Sequence, residues 1–189
     1  MQTAFKEWAI IVDALGRGEQ IVILRKGGIS EDGGSFEVEH PKFWLYPTLF
    51  HQQGESVIDS AKARCEALLA TMTDTAHVRI EYFAEVADWR KLENAESALA
   101  LRGQHIWRDE VIRERFDWGR QKNIFALAVR VYRLPAPLEL PVLASYGGCK
   151  SWIDLEPVID TSKATSVLSD AEFATKFAKL QVAADVRRL

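Results

Sequence analysis

Apolar positions recur at helical spacing near the start of the chain: Phe5, Trp8, Ala9, Val12 and Leu15 share a face, with Lys6, Glu7 and Asp13 opposite. The pattern predicts a helix over 5–15. Gly16 and Gly18 end it, because glycine accepts the left-handed backbone that closes a helix. Ile21-Val22-Ile23-Leu24 then reads as a short β-branched strand that delivers Arg25 and Lys26 to its end. Gly27-Gly28 and Gly33-Gly34 bracket a polar loop, and Phe36 to His40 alternates as a strand with one wet face. Phe43-Trp44-Leu45-Tyr46-Pro47-Thr48 is a ring-rich strand. Adjacent strand residues point to opposite faces, so Trp44 and Tyr46 share one and Phe43 and Leu45 the other.

Ser56 and Asp59 form a capping pair for a helix over 57–72, whose stripe runs through Ile58, Ala61, Cys65, Leu68, Leu69 and Met72. Cys65 lies on that stripe and reads as a packed thiol. A strand is predicted over 77–86, an alanine- and leucine-rich helix over 88–101, a short helix over 109–116 and a strand over 124–134. Pro135, Pro137 and Pro141 force an extended crossing. A Gly147-Gly148 turn leads to a strand over 152–155, and Ser169 with Glu172 caps a final helix with Phe173, Phe177, Leu180 and Ala184 on one face. That face either docks on its own domain or meets a protein partner, whose identity the sequence does not indicate. The mixed order predicts an α+β fold: a mixed, partly closed β-barrel-like sheet flanked by helices, with a C-terminal helix. The expected organisation is a main domain over 1–156 and a helical extension over 157–189 packed on it.

The chain has 189 residues, 48% apolar and 27% charged, enough for a real core and incompatible with wholesale disorder. No apolar run approaches the roughly 20 residues of a membrane span, and no signal-peptide pattern opens the chain. No membrane partner is expected, and the cytoplasm is the simplest compartment. Cys65 and Cys149 make no CxxC pair, and no HExxH or HxH spacing occurs, so no metal is expected. Phosphate-loop, dinucleotide and nucleophile-elbow templates are absent, and no cofactor is expected.

The net charge of −3 conceals an excess of arginine: residues 101–133 hold eight basic and four acidic groups. Such an excess suits phosphate, which guanidinium binds bidentately, or it forms a solvated face of paired neighbours. The candidate anion-binding residues are Arg25, Lys26, Arg130 and Lys150. Trp44, Tyr46 and Trp152 either stack on bases or fill the core. His40 and His51, beside Glu39 and near Glu37, are the candidates for acid–base work; the alternative is a structural histidine.

Leu24-Arg25-Lys26-Gly27-Gly28-Ile29, Phe43 to Thr48 with His51-Gln52, and Tyr146-Gly147-Gly148-Cys149-Lys150-Ser151-Trp152 stand out together, with Lys6-Glu7-Trp8 and His105-Ile106-Trp107. On these stretches the chain resembles the bacterial family Domain of Unknown Function 1802, over roughly residues 5–156. The resemblance implies no established activity; its association with restriction–modification systems implies nucleic acid as a partner. The opening helix, its glycine stop and Ile21 to Lys26 are also similar to the start of PUA-like and ASCH barrels, small folds that recognise RNA or DNA. That similarity implies phosphate on Arg25 and Lys26 and a base near Trp44, Tyr46 and Trp152. Two functions follow as expectations: a non-catalytic nucleic-acid-binding module, or a small metal- or histidine-dependent hydrolase or nuclease. Both require the cationic strand end, the ring-rich strand and the lysine turn to meet around one concavity.

Overall fold

The computed structural model describes residues 1–26, 40–49, 53–148 and 150–185. In chain order the elements are β1 (Thr3–Trp8), α1 (Ala9–Gly16), β2 (Val22–Arg25), β3 (Lys42–Thr48), α2 (Gln53–Ser56), α3 (Asp59–Thr71), β4 (His77–Leu92), α4 (Ala95–Leu99), α5 (Asp109–Asp117), β5 (Ile124–Pro141), β6 (Trp152–Asp154), β7 (Thr165–Ser166) and α6 (Asp170–Asp185). The strands form one mixed sheet in the order β2-β5-β4-β3-β1-β6, with β7 beside β5. β1 and β3 run parallel and the other neighbours antiparallel. The sheet curls into a half-barrel flanked by helices, which is the α+β architecture expected from the order of elements.

The predicted helix over 5–15 is wrong in its first half. Thr3–Trp8 is a strand, held between β3 and β6. Its alternate residues enter different cores: Phe5 packs with α1, β2 and β5 residues, and Ala4 with Trp44, Ile80 and Ile153. A strand buried on both faces loses its period-two signal, and the apolar spacing then imitates a helix. The helix over 88–101 is also overturned. β4 pairs with β5 as far as Leu92, and only Ala95–Leu99 is helical, with Asn94 Oδ1 accepting the Ser97 N–H at 2.7 Å. Ser56 does not cap α3. Ser56 closes α2 and Val57 forms a single bridge with Trp107, the Ile58 N–H donating to Ile106 O and the Arg108 N–H to Ser56 O, so α3 starts at Asp59.

β2, β3, α5 and β6 stand where the pattern placed them, within a residue or two. Pro135, Pro137 and Pro141 are absorbed into β5 beyond its pairing with β7, where no outer strand needs their missing N–H groups. The capping box on α6 forms: Glu172 Oε2 accepts the Ser169 N–H at 2.9 Å, and Ser169 Oγ accepts the Glu172 N–H at 3.3 Å. Phe173, Phe177 and Leu180 of that helix pack on the main core. Cys65 is buried as expected. The glycine loop and most of the strand predicted over 36–40 lie outside the described residues.

Candidate functional site

β3 and β4 pair only where Lys42, Phe43 and Trp44 meet Glu85, Ala84 and Phe83. Past that seam both strands continue unpaired with each other, and a cleft of about 970 Å³ opens between Tyr46–Thr48 on one wall and His77–Glu81 on the other. Val12 of α1, Leu68 of α3 and Met72 just after it close one side, and the turn over 144–148 the other. The cleft is thus the opening of an incompletely closed barrel.

Lys6, Arg25, Tyr46, Lys150 and Ser151 line the first wall. Arg25 is held at several points. One guanidinium nitrogen donates to Ser151 Oγ at 2.8 Å; the other donates to Lys6 O at 3.5 Å and lies 3.7 Å from Glu7 Oε2. Its head also sits 4.7 Å from the centre of the Phe5 ring. Glu7 is only 1% exposed, and its Oε1 accepts the Trp8 N–H at 2.8 Å. Buried Gln53 ties the end of β3 to α1, donating to Thr48 O at 2.8 Å and accepting the Ile10 N–H at 3.4 Å. Lys6 Nζ donates to Tyr146 O and Gly148 O at 2.8 and 2.9 Å, and so fixes the turn that presents Lys150. Gly148 stands in that turn at φ +77°, a conformation that favours glycine.

Lys150 is exposed and makes no ion pair among the described residues. Tyr46 is nearly buried, edge-on to Tyr146, and its hydroxyl has no hydrogen-bond partner among the described residues. Burial, reinforced by Tyr146, pushes its phenol above the ordinary value and keeps it protonated, a donor facing the cleft. Behind this wall Arg115 lies 3.8 Å from the centre of the Trp107 ring and donates to Leu24 O at 3.2 Å. Burial pushes its pKa down to about 10; Glu7 works against that shift and Arg25 adds to it.

The second wall differs. Glu81 accepts hydrogen bonds from Arg133 at 2.7 Å and Arg79 at 3.0 Å. Burial pushes its carboxyl up, but those two bonds prevail and hold it below the usual range. Asp74 and His77 pair at 2.8 Å, which holds Asp74 low. Charge on this wall is largely neutralised within it.

Of the residues singled out by sequence, Arg25, Tyr46 and Lys150 share the cleft. The strand end, the ring-rich strand and the lysine turn therefore meet. Lys26 faces away and donates to Phe116 O, Gln121 O and Asn123 O, tying down the chain after α5. Trp44 is fully buried, its indole N–H donating to Met1 O at 3.0 Å, so it offers no stacking face. Trp152 is packed among Phe5, Phe43 and His40, with ring centres 4.7, 5.0 and 4.9 Å away. Arg130 lies elsewhere, paired with Asp170. His51, Glu37, Glu39 and Cys149 fall outside the described residues. Among the described residues no group of three His, Cys, Asp or Glu is placed to hold a metal, and no helix is long and apolar enough to cross a membrane. Glu7, Gln53 and Arg115 were missed by pattern reading; a carboxylate inside the apolar spacing of Phe5 and Trp8 was the one available signal.

A family comparison matches residues 4–179, from β1 into α6, past the limit near 156 set by the motifs alone. The chain belongs to the family Domain of unknown function (DUF1802). Within this DUF1802 chain, Lys6, Trp8, Arg25, Tyr46, the 146–148 turn, Lys150 and Ser151 border the cleft, while Trp107 backs it. Among solved structures the chain is similar to ASCH from Zymomonas mobilis, at 12% identity, 94% of each chain and a TM-score of 0.41. A tyrosine-to-phenylalanine variant of that protein matches with the same values over 96% of its own length, and a serine-to-alanine variant over 94%. No curated protein matches the sequence.

Proposed function

We propose that this DUF1802 chain is a cytoplasmic nucleic-acid-binding module that takes a phosphate-bearing strand along the first wall of the cleft. The observation that carries the reading is a pre-positioned Arg25 beside Lys150, which makes no ion pair among the described residues, on one lip of a large cleft. Guanidinium offers a planar fork to phosphate oxygens, and ammonium adds a mobile point charge. Ser151 Oγ accepts from Arg25, which leaves its own proton for an anionic oxygen; the Tyr46 hydroxyl is a further donor. A cleft of about 970 Å³ stands at the upper end of small-ligand sites, typically about 300–1,000 Å³. On the opposite wall Arg79 and Arg133 are already engaged by Glu81, so the first wall is the one that offers charge to the backbone. Trp44 and Trp152 belong to the packed interior, so recognition rests on phosphate and shape rather than on these rings.

Fluorescence anisotropy at low salt, with single- and double-stranded DNA and RNA, tests the reading. The restriction–modification setting implied by the family resemblance is the reason to include DNA. Wild-type protein is expected to bind at micromolar concentration. Arg25→Ala should weaken binding about tenfold and reduce the salt slope by about 1. Silence across every probe at micromolar protein overturns the proposal.

A further inference from the structure

Burying an ionised carboxylate is costly unless partners compensate it, and Glu7 is buried against the cleft wall. Its backbone neighbour needs no charge: an amide oxygen would accept the Trp8 N–H at 2.8 Å as well. What the charge adds is an ion pair with Arg25 and an attraction on Arg115 behind it. Arg115 is fixed from behind by Trp107 and Leu24 O, so it cannot follow its neighbours. Arg25, on the other side, is one-fifth exposed and faces the cleft. Two like charges so close repel, and the carboxylate near both offsets that repulsion. Glu7 also precedes the N-terminus of α1, where negative charge is favoured.

We infer that Glu7 is the positioning residue of the cleft: its buried carboxylate holds Arg25 against Ser151, with the remaining guanidinium donors turned toward the ligand. This rests on the nucleic-acid reading for its purpose, not for its geometry. Without the charge, Arg25 keeps its length but is no longer held against Ser151 in one direction, and binding must then order the side chain.

Side-chain NMR of the arginine Nε–H groups separates purpose from geometry. In wild-type protein the Arg25 signal should be resolved and rigid. In Glu7→Gln it should lose that order, while the Arg115 signal stays rigid because Trp107 still holds it. Should the amide variant not fold, Glu7→Asp withdraws the charge by one methylene and should loosen Arg25 in part. An Arg25 signal unchanged in the folded variant overturns the inference, whether or not any nucleic acid binds. With a single-stranded oligonucleotide, Glu7→Gln should weaken binding about tenfold and add nothing further in an Arg25→Ala background. Losses that multiply would also overturn it. An oligonucleotide that never binds wild-type protein removes the proposed function, while the Arg25 signal still decides whether Glu7 positions that side chain.

Discussion

The segment 101–133 carries eight basic residues, whereas the first wall of the cleft carries three, Lys6, Arg25 and Lys150. The segment spends most of its charge on partners, although Arg113 and Arg120 are exposed and make no ion pair among the described residues. Arg102 pairs with Asp109, Arg108 with Glu110, Lys122 with Asp117, Arg130 with Asp170 and Arg133 with Glu81, while Arg115 turns inward onto Trp107. On the wall, Lys6 is engaged by backbone carbonyls, Arg25 is held in place, and Lys150 has no ion-pair partner among the described residues. Charge density along a sequence is therefore a poor guide to charge on offer. Pairing decides it, and pairing is set by the fold.

If the segment serves stability, its largest signature is a pH effect at His105. This histidine is 5% exposed, and its Nδ1 accepts the Trp107 N–H at 3.2 Å. Burial, only partly opposed by Asp109, pushes its pKa down to about 4. The unfolded chain titrates near 6.5, so as pH falls the unfolded state takes up the proton first. Stability should be lost between about pH 6.5 and 4, by up to about 3 kcal/mol. Denaturant unfolding at several pH values measures the loss, and His105→Gln should flatten this part of the profile. An equally steep profile in the variant would show that other groups produce it.

The next effect belongs to the wall. Arg25→Ala combined with Lys150→Ala should weaken oligonucleotide binding about a hundredfold, because charge-assisted bonds to phosphate are each worth about 1.5–3 kcal/mol before solvent screening. Arg25→Ala should also destabilise the fold by uncovering buried Glu7, whereas exposed Lys150→Ala should leave unfolding almost unchanged. Lys150→Ala alone should cost about three- to tenfold and lower the salt slope by about 1. A salt slope that stays put in the single variant would remove Lys150 from the contact.

Of the residues that line the cleft, pattern reading picked out those that announce themselves locally. Arg25 follows a β-branched run, Tyr46 alternates with Phe43 and Leu45, and Lys150 comes after a glycine pair; each is a property of a few adjacent residues. The same logic found α5 and the Ser169–Glu172 cap. It failed at Thr3–Trp8 because burial on both faces erases alternation. It failed at β4 because a long strand bent by two register shifts looks polar and irregular from Asp88 onward. Glu7 and Gln53 matter through partners 18 and 43 residues away in sequence, or through a backbone reached only after folding, and no local pattern encodes that. Arg115 and Arg113 are indistinguishable along the chain, yet one is stacked on an indole and the other exposed.

The smallest expected effect is the one most able to break the comparison. Arg133 is the member of the basic segment whose ion-pair partner, Glu81, lines the second wall. Its side chain is 57% exposed, and Glu81 keeps Arg79 as a second donor when Arg133 is removed. Exposed ion pairs are typically worth about 0–1 kcal/mol, and a carboxylate that retains one guanidinium loses less than an isolated pair would. Arg133→Ala should therefore change stability by under about 1 kcal/mol. Binding should weaken by less than about twofold, through a slightly more negative second wall and not through a lost phosphate contact. Its salt slope should equal that of the wild type, because Arg133 neutralises no phosphate and so releases no counterion. If Arg133→Ala instead lowered affinity and slope as far as Lys150→Ala, the strand would have to cross the cleft, and the division into an offering wall and a neutralised one would fail.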